Sequence, residues 1–492
     1  MTDNSVAKMT LPSGALLIGE DRISDSTGGR FEHIFPGSGQ TNAEISIAGA
    51  AEIDRAVELG WKAQLDWVAL DVETRRDIML RLSDLVREHM AELTAISVHD
   101  NGVPITVSRL QPFALDRYIR WYAGAIDKAT GSTVAGGGVD DVNLVEYEPY
   151  GVVGVIIPWN GPLFQIGMNV IPALAAGNAV VLKPSELAPL SPLRFGELVL
   201  EAGFPPGLLS VVPGGAETGE ALVRHPRVRK VHFTGSTASG RKVIIAAAEN
   251  LTPVATELGG KAASIVFADA DLASVAQNAA FSGPIGLSGQ NCASGSRLLV
   301  QDSVYDEFVA HFTAAVQAAP MGDPFSEANF VGPLITESAT DKVMASVDAA
   351  RTKGMGQLIL GGQRAGGDLA SGYYVQPTIF SDVDSTSPLA QQEIFGPISS
   401  IIRFSTEDEA VAIANSTVYG LVNYVSTTDL ARAHRVARRL ESGTVWVNQG
   451  MDVVPMAPYG GYKHSGNGRA GGMAGLHQFQ QVKTIRVAVP AD

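Results

Sequence analysis

The sequence predicts an α/β fold built on a doubly wound parallel sheet. Between about residues 152 and 266, short apolar runs (VVGVIIP, AVVLKP, LLSVVP, KVHFTG and TPVATELGG) alternate with helical segments that start near Pro162, Ser191, Glu217 and Thr237. Runs this apolar, separated by helices, are strands covered on both faces, as a parallel sheet requires. A second strand–helix series runs from Ala262 to about Val447. Composition agrees, with 45% hydrophobic and 18% charged residues and 53 glycines in 492 residues, the profile of a loop-rich globular chain with a large core.

Taken in order, the opening MTDNSVAKMTLPSG has no apolar leader, and the most apolar stretch, 170–182, is broken by Pro172, Gly177 and Asn178. Neither a secretory signal nor a membrane span is expected. The first 130 residues hold two apolar stripes at helical spacing, Ile53/Val57/Trp61/Leu65 and Ile78/Leu82/Leu85/Val86/Met90/Leu93. Over residues 141–150 the period changes to two, with Val145 and Tyr147 alternating with Glu146 and Glu148, and Ile485/Val487/Val489 repeats that pattern at the end. No short-period repeat or low-complexity segment interrupts the chain.

A net charge of −15 with no Lys/Arg cluster argues against nucleic acid or an anionic membrane as partner, since both need a basic field. One cysteine cannot make an intramolecular disulfide, which fits a reducing compartment, the cytoplasm by default. The nine histidines include no pair at metal-ligand spacing, so no metal site is expected. Neither a GxSxG elbow nor a phosphate-binding P-loop is present, which weakens hydrolase and kinase readings.

That single cysteine, Cys292, lies in GLSGQNCASGSR (286–297), a polar, glycine-rich loop ahead of the apolar LLV. A structural thiol sits among apolar neighbours, whereas a nucleophile is placed in such a loop. Gly235 and Ser236, in FTGSTASG (233–240), join a strand to a helix, where free N–H groups attract a pyrophosphate; the same residues also suit a plain helix cap. Lys183 and Glu186 end another strand of that sheet and suit ribose hydroxyls, or are solvated loop charges. Glu257 closes an apolar strand, where desolvation raises a carboxyl toward the range of a general base. Asn160 follows a strand and carries an amide able to donate to an oxyanion, or to its own turn.

Jointly these pieces resemble the aldehyde dehydrogenase superfamily over nearly the whole chain. PWN (158–160), LKPSE (182–186), FTGST (233–237), ELGGK (257–261), GQNC (289–292), EIFGP (393–397) and PYGGYKHSGNGR (458–469) occur in the family's order and at about its spacings. The resemblance implies a cofactor domain (residues 1–127 and 150–258), a catalytic domain (259–475) and a small β oligomerisation arm with its tail (128–149 and 476–492). It implies NAD, with NADP possible, a small-molecule aldehyde as substrate, and a homodimer or homotetramer. Cys292 would attack the aldehyde, Asn160 and the Cys292 N–H would hold the oxyanion, and Glu257 would activate water against the thioester. Lys183 and Glu186 would meet the adenosine ribose, Ser236 the pyrophosphate and Glu393 the nicotinamide ribose, with Gly235, Phe395 and Trp159 also binding the cofactor. Glu257 speaks against the variant that passes its thioester to coenzyme A, and the intact motifs speak against a silent structural relative.

A free thiol is only a few per cent ionised at neutral pH, so a close ionised Glu257 would oppose attack; the acid is expected to be protonated or turned away at that step. Departures from the family concern substrate size. Gly161 stands where many members have Phe, Met168 where Trp is frequent, and Val453 in a loop where Phe is common. With Phe164 and Tyr459 as walls and Asn291 and Ala293 flanking the nucleophile, a wide pocket for aromatic or bulky aldehydes is expected.

Overall fold

A computed structural model describes residues 9–135 and 141–488. Its first sheet has eight strands, in the order Asp21–Ile23, Leu16–Ile18, Leu209–Val211, Ala179–Lys183, Val152–Ile156, Lys230–Thr234, Val254–Glu257, Gly466–Asn467. The five inner strands are parallel, and antiparallel pieces border them on both sides. Chain order reverses at Val152–Ile156, so its carboxyl end is the switch point where ligands of doubly wound sheets collect. Lys183 is the last residue of its strand, and Thr234 pairs with Glu257 at the ends of theirs. The apolar runs read from the sequence are buried along their whole length in the strands at 152–156, 179–183 and 230–234.

The second sheet has seven strands, in the order Gln357–Leu360, Thr378–Ser381, Ile398–Phe404, Arg297–Gln301, Ala263–Val266, Val422–Ser426, Thr444–Val447, and only the first runs antiparallel. The Arg297 guanidinium is buried behind it and donates to Lys261 O (2.9 Å), Ile413 O (2.8 Å) and Ala414 O (2.8 Å), tying the start of two strands to a neighbouring helix. Away from both sheets, Gln480–Val487 pairs antiparallel with Val142–Pro149 over eight residues. Val489, part of the expected closing alternation, lies outside the described residues. Among the described residues no helix is long and apolar enough to cross a membrane.

Three local expectations are corrected. The helix Ala50–Ala69 does not bury Leu65, which is 62% exposed; its packing face runs through Ile53, Ala56, Val57, Gly60, Ala63 and Trp67. Trp67 stacks on Phe204 at 4.9 Å, and Gly60 lets the helix approach the strands at 152 and 179 closely, so the large ring rather than Leu65 sets the seam. The second stripe is two helices, Val72–Glu88 and Met90–Asn101, broken at His89. The helix expected from Pro162 widens into a π-turn over Ile166–Val170 before resuming.

Candidate functional site

The loop that carries Cys292 is held in an unusual backbone path. Leu287 and Ser288 both have positive φ (53° and 52°), and at Gly289 (φ +71°) a Cβ would lie 2.1 Å from Gly396 O, so only glycine fits there. Ser288 Oγ donates to Gly332 O (2.8 Å) and accepts from Gly332 N (3.0 Å). Gln290 is buried, and its side chain donates to Pro333 O (3.3 Å) and accepts from Ile335 N (2.9 Å). The loop is therefore clamped from behind while Cys292 stays half-buried at its tip.

Asn160 meets this loop from the first sheet: its Nδ2 donates to Gln290 O at 2.9 Å across 130 residues of sequence. That bond fixes the amide plane and leaves a second N–H of the same group. The turn holding it is pinned by Asn101 Nδ2, which donates to Trp159 O (3.0 Å). Cys292, Asn160 and Glu257 border one cavity of about 330 Å³, together with Trp159, Gly235, Ser236, Glu393 and Phe395. Trp159 and Phe395 stand edge to face at 5.6 Å. The cavity shares Pro158, Trp159, Thr234, Gly235 and Ser236 with a larger cleft of about 720 Å³ that contains Lys183 and Glu186.

Electrostatics divides these groups. Burial holds the Glu257 carboxyl well above the usual carboxylate range, against a weaker opposite pull from Arg469, and its Oε2 is buried without a partner. Burial also lifts Glu393 to about 7, although Gly260 N donates to it at 2.9 Å and Lys261 lies near. The Cys292 thiol is pushed up to about 12, first by burial and then by the charges of Glu393 and Glu257; its own backbone N–H and the facing Tyr459 hydroxyl pull the other way. Lys183 is lowered to about 8 by burial, with Glu186 opposing; its Nζ donates to Pro184 O (3.1 Å) and to Gly214 O.

Ser236 does cap the helix Thr237–Ala248, its Oγ accepting from Ser239 N at 3.1 Å, so the cap and the exposed helix start coexist. The expected aldehyde-pocket residues divide. Asn291 flanks the nucleophile, accepting from Ala293 N (2.9 Å) and donating to Met451 Sδ (3.2 Å). Phe164, Cys292 and Val453 are partly buried against the same core, and a Cβ on Gly161 would meet nothing closer than Phe164 Cβ at 3.8 Å. Met168 and Ala293 are buried in the core at 2% exposure, and none of the seven expected pocket residues, Gly161, Phe164, Met168, Asn291, Ala293, Val453 and Tyr459, borders either of the two cavities. Sequence reasoning missed Gln165, which lines the cavity and accepts from Thr234 Oγ1 (3.3 Å) and Asn169 Nδ2 (3.1 Å); only its place one turn after Asn160 could have shown it. Among the described residues no group of three or more His, Cys, Asp or Glu is placed to hold a metal ion.

A sequence model described as the Aldehyde dehydrogenase family matches residues 23–485. A betaine aldehyde dehydrogenase of Cereibacter sphaeroides is 40% identical over 484 residues, 98% of this chain and 99% of that one. Among solved structures, PnpE from Pseudomonas sp. WBC-3 superimposes with a TM-score of 0.95 at 37% identity, covering 98% of this chain and 99% of PnpE. The P. syringae indole-3-acetaldehyde dehydrogenase AldA, solved in complex with NAD+ and IAA, gives a TM-score of 0.95 at 37% identity over 98% of each chain.

Proposed function

The chain belongs to the aldehyde dehydrogenase family as an NAD(P)-dependent, non-acylating enzyme, and we propose that it oxidises bulky or aromatic aldehydes to carboxylic acids with NAD+ as the preferred cofactor. The observation that carries the chemistry is the meeting of Cys292, Asn160 and Glu257 in one cavity that opens into the strand-end cleft of the first sheet.

The cleft suits a dinucleotide. A buried ammonium (Lys183) and the carboxylate of Glu186 stand at one end for ribose hydroxyls, the N–H groups after Gly235 and Ser236 for phosphate, and Glu393 with Trp159 and Phe395 beside Cys292 for the nicotinamide end. When bound there, the nicotinamide supplies the hydride acceptor. Glu186 would repel a 2′-phosphate, which favours NAD+.

The protein's own groups then divide the work. The Cys292 thiol loses its proton to solvent water, the sulfur bonds to the aldehyde carbon, and the carbonyl oxygen takes the negative charge. The free N–H of Asn160 and the backbone N–H of Cys292 hold that oxygen. Hydride loss from the same carbon leaves a thioester on Cys292. Glu257, held well above the usual carboxylate range by burial, opposes the thiolate only when it is ionised; in that form, helped by Arg469, it takes a proton from water, and the hydroxide displaces the sulfur to release the acid.

For assembly, the strand pair Val142–Pro149 and Gln480–Val487 leaves Val142, Val482 and Val487 exposed, a face that suits a second copy in a homodimer or homotetramer. A cytoplasmic location fits the lone, unpaired cysteine.

The test is an aldehyde panel from acetaldehyde to benzaldehyde with NAD+ or NADP+, followed by the absorbance of reduced cofactor. The expected result is turnover that Cys292→Ala abolishes in a folded protein, higher kcat/KM for benzaldehyde than for acetaldehyde, and higher kcat/KM with NAD+. Turnover that survives in Cys292→Ala would refute the role of the thiol, and a preference for acetaldehyde would refute the size reading.

A further inference from the structure

The helix Leu110–Ala125 turns one face inward through Gln111, Leu115, Tyr118 and Tyr122, at spacings of four, three and four, and all four are buried. Tyr122 is accounted for, since its hydroxyl donates to Gly472 O at 3.4 Å. The other two polar residues are not. Gln111 is 6% exposed and Tyr118 fully buried, yet the amide nitrogen and oxygen of Gln111 and the hydroxyl of Tyr118 are all without a hydrogen-bond partner. Buried polar atoms are nearly always paired, so three orphans on one helix face need a reason.

Their surroundings supply one. A Cβ on Gly161 would lie 4.0 Å from Gln111 Oε1 and 3.8 Å from Phe164 Cβ, with nothing nearer, so the space beside Gly161 is bounded by the Gln111 amide and the Phe164 side chain. Tyr118 continues that wall: its ring meets Phe164 edge to face at 6.1 Å and packs on Gly167, where a Cβ would come within 3.0 Å of it. Gly161 directly follows Asn160, whose amide holds the backbone two residues before Cys292. The Gln111 amide oxygen thus lies beside the residue that follows the oxyanion amide, with the Tyr118 ring on the same wall beside Phe164.

We propose that Gln111 and Tyr118 form a neutral hydrogen-bonding subsite in the aldehyde pocket, and that the preferred substrate carries a hydroxyl group on its apolar body, away from the aldehyde carbon. This rests on the reading that Gly161 borders the aldehyde pocket. The match is one of donors and acceptors: a hydroxyl donates to Gln111 Oε1 and accepts from Gln111 Nε2 or the Tyr118 hydroxyl. With an unsubstituted aldehyde these atoms stay unpaired, and sites built to hydrogen-bond a hydroxyl discriminate strongly against the analogue lacking it.

The experiment measures kcat/KM within two pairs, 3- or 4-hydroxybenzaldehyde against benzaldehyde and 6-hydroxyhexanal against hexanal, for the parent, Gln111→Met and Tyr118→Phe. The parent is expected to favour a hydroxylated member by about tenfold or more, and each variant to lower that ratio by about tenfold. Because both members of a pair are read on the same preparation, loss of folded enzyme cancels, and the parent's ratio is decisive even if a variant fails to fold. No hydroxyl preference in the parent, or a preference that both folded variants retain, would overturn the subsite and leave these atoms as a place for water. If the aliphatic pair is oxidised better than the aromatic pair, the aromatic reading fails, while the hydroxyl ratio in the aliphatic pair still decides the subsite.

Discussion

The two ends of the connected cavity are built in different ways. At the Lys183–Glu186 end the cleft belongs to one sheet: consecutive strand–helix units each deliver a strand end or a helix start, and the residues come from short, contiguous turns. At the Cys292 end the pieces come from loops of two sheets, joined by contacts such as Asn160 to Gln290 and Gly260 to Glu393. The first end recognises through backbone geometry, which follows from the topology. The second works through burial, which displaces Glu257, Glu393 and Cys292 from their ordinary ionisation ranges. Binding can be inherited from the sheet, whereas the chemistry must be assembled by packing.

That contrast is tested most sharply at Glu257, which ends a strand of the first sheet and yet acts on the loop of the second. Glu257→Gln keeps the shape of the side chain and removes its ability to accept a proton from water. Hydride transfer should survive as a single burst of reduced cofactor, while steady turnover falls by about 10²–10⁴-fold because the thioester lacks its base. Stopped-flow absorbance distinguishes the phases. A variant with full steady rate, or with no burst, would show that the carboxyl does not act at deacylation.

How much was legible in the sequence follows the same division. The parallel strands could be read because burial on both faces leaves continuous apolar runs, and their ends located Lys183, Gly235, Ser236 and Glu257. Cys292 could be read because a lone thiol among glycines has no packing role. The antiparallel borders at Leu16–Ile18 and Gly466–Asn467 are only two or three residues long, too short to carry a period. Leu65 misled because a stripe at spacing four fits an apolar face as well as the true seam through Trp67 does. The orphaned pair Gln111 and Tyr118 left no trace, since an amide and a phenol seven residues apart read as ordinary helix until a glycine from another segment is seen to leave space before them.

A second way to break the comparison is to titrate the chemical end directly. Burial and two nearby carboxyl groups favour the neutral thiol, so the thiolate fraction of the free enzyme is small at neutral pH and grows with pH up to about 12. Inactivation by iodoacetamide should therefore rise by about tenfold per pH unit between neutrality and pH 10, without levelling off. A plateau near the ordinary thiol range of about 8.5 would mean that Cys292 behaves as a solvent-exposed cysteine and that packing does not set its ionisation.

The smallest expected effect concerns the width of the pocket, where Gly161→Phe adds a ring beside the oxyanion amide. Gly161 has φ −168°, outside the positive-φ region that favours glycine, and its Cβ would make only ordinary contacts. The added ring would occupy space between Phe164 and Gln111 that a bulky aldehyde needs and a two-carbon aldehyde does not. Contacts of this size discriminate by about 1–3 kcal/mol, so the ratio of kcat/KM for benzaldehyde to that for acetaldehyde should fall by about tenfold or more. Thermal unfolding of the variant, measured alongside, shows whether the ring is accepted without unfolding the protein. If the ratio does not move while the protein remains folded, Gly161 does not border the path of the aldehyde, and the breadth of the pocket must be set by Val453 and the loop that carries it.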